Sequence, residues 1–86
     1  QINSDKATRV IVIRMRSVPA IDASAMKSLR ELADRAKKKK ITLVFSHVNE
    51  QPMSVMVKDG FTEYVGAQNF HANIVEALDY AENLVK

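Results

Sequence analysis

The stretch Ala20-Ile21-Asp22-Ala23-Ser24-Ala25-Met26-Lys27-Ser28-Leu29 sets a carboxylate and a hydroxyl side by side where an apolar run gives way to a helical pattern. Three chemistries suit such a pair: a serine nucleophile, a phosphate acceptor, or an acid that caps a helix. A nucleophile needs a histidine base that is itself oriented by an acid. The chain has two histidines, His47 and His71. His47 follows a second apolar run, so a parallel sheet would carry it to the same end as Ser24, where open α/β sheets place their ligands. The flanking residues argue otherwise. Ala23-Ser24-Ala25 is not the Gly-x-Ser-x-Gly elbow that strains a nucleophile into the open, and Asp22 has no acidic neighbour in its turn for paired-carboxylate catalysis. No catalytic residue is assigned. An aspartate at a helix start accepts hydrogen bonds from first-turn amides, worth about 0.5–2 kcal/mol, and complements the helix dipole. That role suits Asp22. Ser24 then falls in the first turn with an exposed hydroxyl, where a phosphate is favoured by the helix end and opposed by Asp22.

Other chemistries find little support. There are no cysteines and only two isolated histidines, so no metal-ligand spacing exists. His71 reads as a polar loop or first-turn residue. Gly60 and Gly66 are the only glycines, too few for a phosphate-cradling loop. The run Lys37-Lys38-Lys39-Lys40 invites a nucleic-acid reading, but no aromatic residues interleave with it for base stacking. It suits a solvated helix end, whose exposed carbonyls attract cations, or a surface near anionic lipid. The charge is lopsided: residues 1–43 hold 11 Lys/Arg against 4 Asp/Glu, and residues 44–86 hold 2 against 6.

The elements that position these residues follow from periodicity. Val10-Ile11-Val12-Ile13 reads as a strand buried on both faces, as in helix-covered parallel sheets. Val18-Pro19 ends it, since proline lacks an amide hydrogen. From Ala23 to Lys38 the apolar residues Met26, Leu29, Leu32, Ala33 and Ala36 recur at helical spacing. Ile41–Phe45 is a second strand, and strand–helix–strand implies a parallel pair with a right-handed crossover. A shorter helix spans about Gln51 to Asp59, with Pro52 in its first turn and Gly60 as its stop; Val55, Met56 and Met53 face the sheet. Phe61 to Val65 reads as a brief strand or extended link. A last helix covers about Ala72 to Val85, with Ile74, Val75, Leu78, Ala81, Leu84 and Val85 as its buried stripe.

The chain of 86 residues, 47% hydrophobic and 27% charged, makes one small α/β domain. No apolar run approaches the roughly 18 residues of a membrane span. The start, Gln1 to Lys6, lacks methionine and the layout of a signal peptide. Two or three strands are few for three amphipathic helices, so elements are expected to be missing at the N-terminus.

"VIVIRMRSVPAIDASAMKSLRELADRAKKKKITLVFS" closely resembles the core of a STAS domain, and more narrowly the cytoplasmic C-terminal domain of SulP-type (sulfate permease) anion transporters. The Val-Pro-x-Ile-Asp-x-Ser segment after an apolar strand is its most specific part. "ITLVFS", "VMVKDGF" and "VGAQNFHANIVEALDYA" agree in order, so the match runs from about Thr8 to Glu82. The resemblance implies a small β-sheet flanked by helices, with the first family strands absent from residues 1–86: a single, N-terminally truncated STAS domain. It also implies an exposed sheet edge prone to pairing, hence a possible homodimer.

Bacterial anti-sigma-factor antagonists of this family are phosphorylated on the serine immediately after the conserved aspartate. The matching residue here is Ala23, which has no hydroxyl. This favours the transporter-attached subgroup over a stand-alone signalling protein and leaves Ser24 as the possible phosphoacceptor. The resemblance implies a non-enzymatic regulatory domain without cofactor, on the cytoplasmic face of the membrane. Its partners would be the membrane domain of the same polypeptide and acyl carrier protein or a nucleotide, not nucleic acid. Ile21, Asp22, Ala23, Ser24 and Ala25 would form its regulatory or partner-binding loop.

Overall fold

The computed structural model describes residues 9–85; the residues before Arg9, on which the expected truncation bears, lie outside them. Strand β1 (Arg9–Arg14) leads into helix α1 (Ala23–Lys38), and β2 (Ile41–Ser46) follows after two residues. Helix α2 (Glu50–Asp59), the short helix α3 (Phe61–Val65), a 3₁₀ turn (Ala67–Asn69), strand β3 (Phe70–His71) and helix α4 (Ile74–Leu84) complete the chain. The sheet is parallel throughout, in the order β1-β2-β3. Arg9 lies opposite Ile41 and Arg14 opposite Ser46, while Phe45 and Ser46 face Phe70 and His71.

This register sorts the side chains onto two faces, because successive residues of a strand point to opposite sides. Leu43 and Phe45 join Met15 in a core with Met26, Ala33 and Ala36 of α1, Met56 of α2 and Phe61 of α3. The Phe45 ring stacks on Phe70 with centroids 4.9 Å apart and meets Phe61 edge-on at 5.7 Å. Both geometries suit the aromatic quadrupole. On the other face, the buried Val44 and Ser46 lie beneath α4, which packs along all three strands and buries Ala77 and Ala81.

Four expectations need correction. The strand β1 is not buried on both faces: its residues are exposed or half-buried, and Ile11 is 44% exposed. The reason is its place in the sheet, since β1 pairs with β2 alone and its outer edge meets no strand among the described residues. Phe61–Val65 is helical rather than extended. Gly60, at φ 82°, ends α2 in the left-handed region and restarts the chain as a helix, with the Tyr64 amide donating to the Gly60 carbonyl at 3.0 Å. His71 belongs to β3, not to a loop or helix turn. Finally, α4 starts at Ile74 and buries Ala77 and Ala81, with Ile74 and Leu84 half-buried. Val75, Leu78 and Val85 are 72%, 53% and 52% exposed. Small alanines let α4 approach the sheet closely, and the larger apolar residues are left on its flank.

Candidate functional site: the loop before the first long helix

Residues 15–22 connect β1 to α1 at the carboxyl end of the sheet. The Met15 amide still donates to Ser46 at 3.0 Å, and Val18 turns back to donate to the Met15 carbonyl at 3.0 Å. Pro19 has no amide to continue a ladder, so the chain leaves the sheet. Its path is then held by two side chains from the start of α2. Asn49 Nδ2 donates to the carbonyls of Val18 at 2.8 Å, Arg16 at 3.0 Å and Met15 at 3.4 Å. Gln51 pairs with Ile21 as a neighbouring strand would: its Oε1 accepts from the Ile21 amide at 2.8 Å, and its Nε2 donates to the Ile21 carbonyl at 3.1 Å. Asn49 occupies the N-cap position of α2 but makes no capping bond there. Its amide is used on the loop instead.

Asp22 is the N-cap of α1. Its backbone is extended, Oδ1 accepts from the Ala25 amide at 2.8 Å, and its carbonyl accepts from Met26 at 3.0 Å. Asp22, Ala23 and Ser24 are exposed, whereas Ile21 and Ala25 are half-buried, Ile21 against the core. The structure therefore brings the five loop residues onto one ledge and supports it from below. It does not bring histidine to that ledge: no hydrogen bond joins Ser24 to His47 among the described residues. His47 lines a different hollow, with Arg14, Arg16 and Asn73.

Beside the ledge, a hollow of about 610 Å³ between α1 and α2 is lined by Ala23, Met26, Lys27, Arg30, Val55 and Lys58, among others. Arg30 bridges the two helices, donating to Asp59 Oδ2 through Nε at 3.1 Å and Nη2 at 2.5 Å, and to the Asp59 carbonyl at 3.1 Å. That hydrogen bond raises the guanidinium pKa above its ordinary value. One turn further along α1, Asp34 accepts a hydrogen bond from the Tyr64 hydroxyl. The bond favours the protonated phenol and, with partial desolvation, raises its pKa. Arg30 and Lys37 lie over the Tyr64 ring, at 5.0 and 4.6 Å from its centroid. The lysine run thus closes α1 and stacks one member on α3.

Asn49 and Gln51 are the site residues that sequence reading missed. Each carries the signal of a helix start, and nothing local announces that its amide reaches a loop about 30 positions earlier.

The three-stranded parallel sheet with its helices agrees with the fold of known proteins. A STAS domain family profile matches residues 2–77. A sulfate transporter family protein from Wolinella succinogenes superimposes with a TM-score of 0.85 at 35% identity, over 90% of this chain and 63% of that one. The STAS domain of a SulP transporter from Vibrio cholerae gives 0.82 at 27% identity, over 87% and 59%. A probable sulfate transporter 4.2 of Arabidopsis thaliana is 25% identical over 75 residues, which are 87% of this chain and 11% of that protein. The chain thus spans less than two thirds of each of these relatives. By sequence profile and by fold it belongs to the STAS domain family, and it resembles the STAS domains of SulP transporters.

Proposed function

We propose that this chain is the non-catalytic, cytoplasmic STAS domain of a SulP-type inorganic anion transporter, with Ile21–Ala25 and the first turn of α1 as its regulatory or partner-contact surface. The observation that carries this reading is the ledge itself. Asp22, Ala23 and Ser24 are exposed on a loop braced by Asn49, Gln51 and the Asp22 cap, with no histidine bonded to Ser24. A preformed surface without a catalytic partner suits recognition, because little ordering cost remains to be met on binding. Among the described residues no helix is long and apolar enough to cross a membrane, so the transport pathway would lie in the membrane domain of the same polypeptide. Acyl carrier protein, or another acidic partner, suits the lysine- and arginine-rich first half electrostatically, and a nucleotide is the alternative ligand.

The test uses the native polypeptide. Ala23→Arg and Ser24→Asp, which crowd and charge the ledge, should change anion uptake at unchanged protein abundance in the membrane. Unchanged uptake would remove the regulatory role, and a native polypeptide without membrane-spanning segments would remove the transporter. A second reading rests on Ser24 alone, exposed in a first turn that contains no acid. There a phosphate would meet the positive end of α1. Phosphate incorporation lost in Ser24→Ala would support it, and incorporation that persists in that variant would refute it.

A further inference from the structure

At the carboxyl end of the sheet, on the face that carries α4, lies a hollow of about 260 Å³ lined by Arg14, Arg16, Ser46, His47, Asn73 and Ile74. We propose that it binds a tetrahedral oxyanion of the sulfate and phosphate class, either free or as the phosphoryl group of a larger ligand. This goes beyond the reading of the Ile21–Ala25 ledge and does not depend on it.

Four features meet there. Arg14 ends β1 directly opposite Ser46 in the register, and Arg16 follows two residues later. Among the described residues neither arginine pairs with a carboxylate; the salt bridge present is Arg30 to Asp59. The same two arginines, with Ser17, also line an adjoining hollow of about 410 Å³, so their guanidinium groups border open space. Arginine is the side chain best shaped to grip oxyanions through paired donors.

Ser46 is the second feature. It is 1% exposed, and it lines the hollow. A serine hydroxyl on a cavity wall can donate to an anionic acceptor held there. Its sheet neighbour His71 has a buried Nε2 that lacks a partner among the described residues.

The third is the backbone. His47 adopts a left-handed conformation at φ 52°, uncommon for a residue with a side chain, and its amide is tied to the His71 carbonyl at 2.9 Å. That turn stops β2 at the rim of the hollow. The fourth is α4, whose N-terminus faces the arginines. Asn73 Oδ1 takes the Glu76 amide at 2.9 Å, which leaves the amides of Ile74 and Val75 without an intrahelical acceptor. The one acid of that turn, Glu76, is held by Asn73 Nδ2 at 3.4 Å.

Titration of the isotope-labelled chain with sodium sulfate, sodium phosphate and adenosine monophosphate, at constant ionic strength set by chloride, tests the site by amide chemical shifts. Saturable shifts should centre on Ser46, His47, Ile74 and Val75. Arg14→Gln and Arg16→Gln should each weaken binding about tenfold, and Ser46→Ala several-fold, while Lys38→Gln, with the same change of charge, leaves it unaltered. Saturation by the inorganic ions identifies a free anion; saturation by the nucleotide alone identifies a carried phosphoryl group. Shifts that do not saturate, that centre elsewhere, or that weaken equally in Lys38→Gln would overturn the proposal. The wild-type shift map decides even where an arginine variant fails to fold.

Discussion

Asn49 offers the sharpest test of how the loop is held. Its Nδ2 reaches three carbonyls, at 2.8, 3.0 and 3.4 Å. The last is too long to count for much. Asn49→Ala removes two good hydrogen bonds and leaves the part-buried Val18 carbonyl without its donor, a cost of about 1–3 kcal/mol. No cap is lost, because this side chain does not cap α2. In a domain of this size 1 kcal/mol moves the midpoint by roughly 4–8 °C, so a loss of about 2 kcal/mol lowers Tm by roughly 8–16 °C. Asn49→Asp keeps the shape but points a carboxylate oxygen at the same three carbonyls, and should cost more at neutral pH. The sign of its pH dependence follows. Repulsion raises the folded carboxyl pKa above its unfolded value of about 3.9, so the folded state holds the proton more tightly and stability falls as pH climbs through that window. Thermal melts of wild type and both variants from pH 4 to pH 7, with hydrogen exchange of the Ile21 to Ala25 amides, read both effects. An Asn49→Asp protein that melts with wild type at pH 7, with unchanged exchange in the loop, would refute the bracing role.

The other predictions concern the cap, the core, a half-buried phenol and the outer edge of β1. Asp22→Ala should lose about 0.5–2 kcal/mol in urea unfolding, and Asp22→Asn most of that less. Phe61→Ala, which empties a fully buried site against Phe45, should cost about 3–5 kcal/mol by the same measurement, despite lying in a helix of only five residues. The Tyr64 pKa is raised, first by its hydrogen bond to Asp34, so its share of stability is present below the unfolded value of 10.0 and is lost as pH rises through the folded one. The alkaline limb of the stability profile should therefore flatten in Tyr64→Phe. The chain should self-associate through the outer edge of β1 and the Val75, Leu78 and Val85 flank; Leu78→Lys should reduce this in sedimentation with little change in Tm. A wild-type monomer at high concentration would contradict that.

Most of the frame was legible in the residues. α1 announces itself because sixteen positions of helical spacing and an aspartate cap all agree, and the βαβ unit follows from two apolar runs around it. Gly60 marks a helix end because only glycine enters the left-handed region without strain. These signals are local, and a local signal survives in a single sequence.

What the tertiary structure decided is long-range. The last helix carries two adjacent apolar stripes, one through Ala77 and Ala81 and one through Val75, Leu78 and Val85. Periodicity fits either, and only the position of the sheet selects the alanines. Residues 61–65 are too few for periodicity to separate strand from helix, and Gly60 and the Phe45–Phe61 contact settle it. The strand β1 reads as doubly buried, yet burial depends on neighbours that its own residues do not encode. The Ile21–Ala25 loop could be named from its motif. That Asn49 and Gln51 hold it in place could not, because a side-chain amide carries no sign of which distant carbonyl it will meet until the chain has folded.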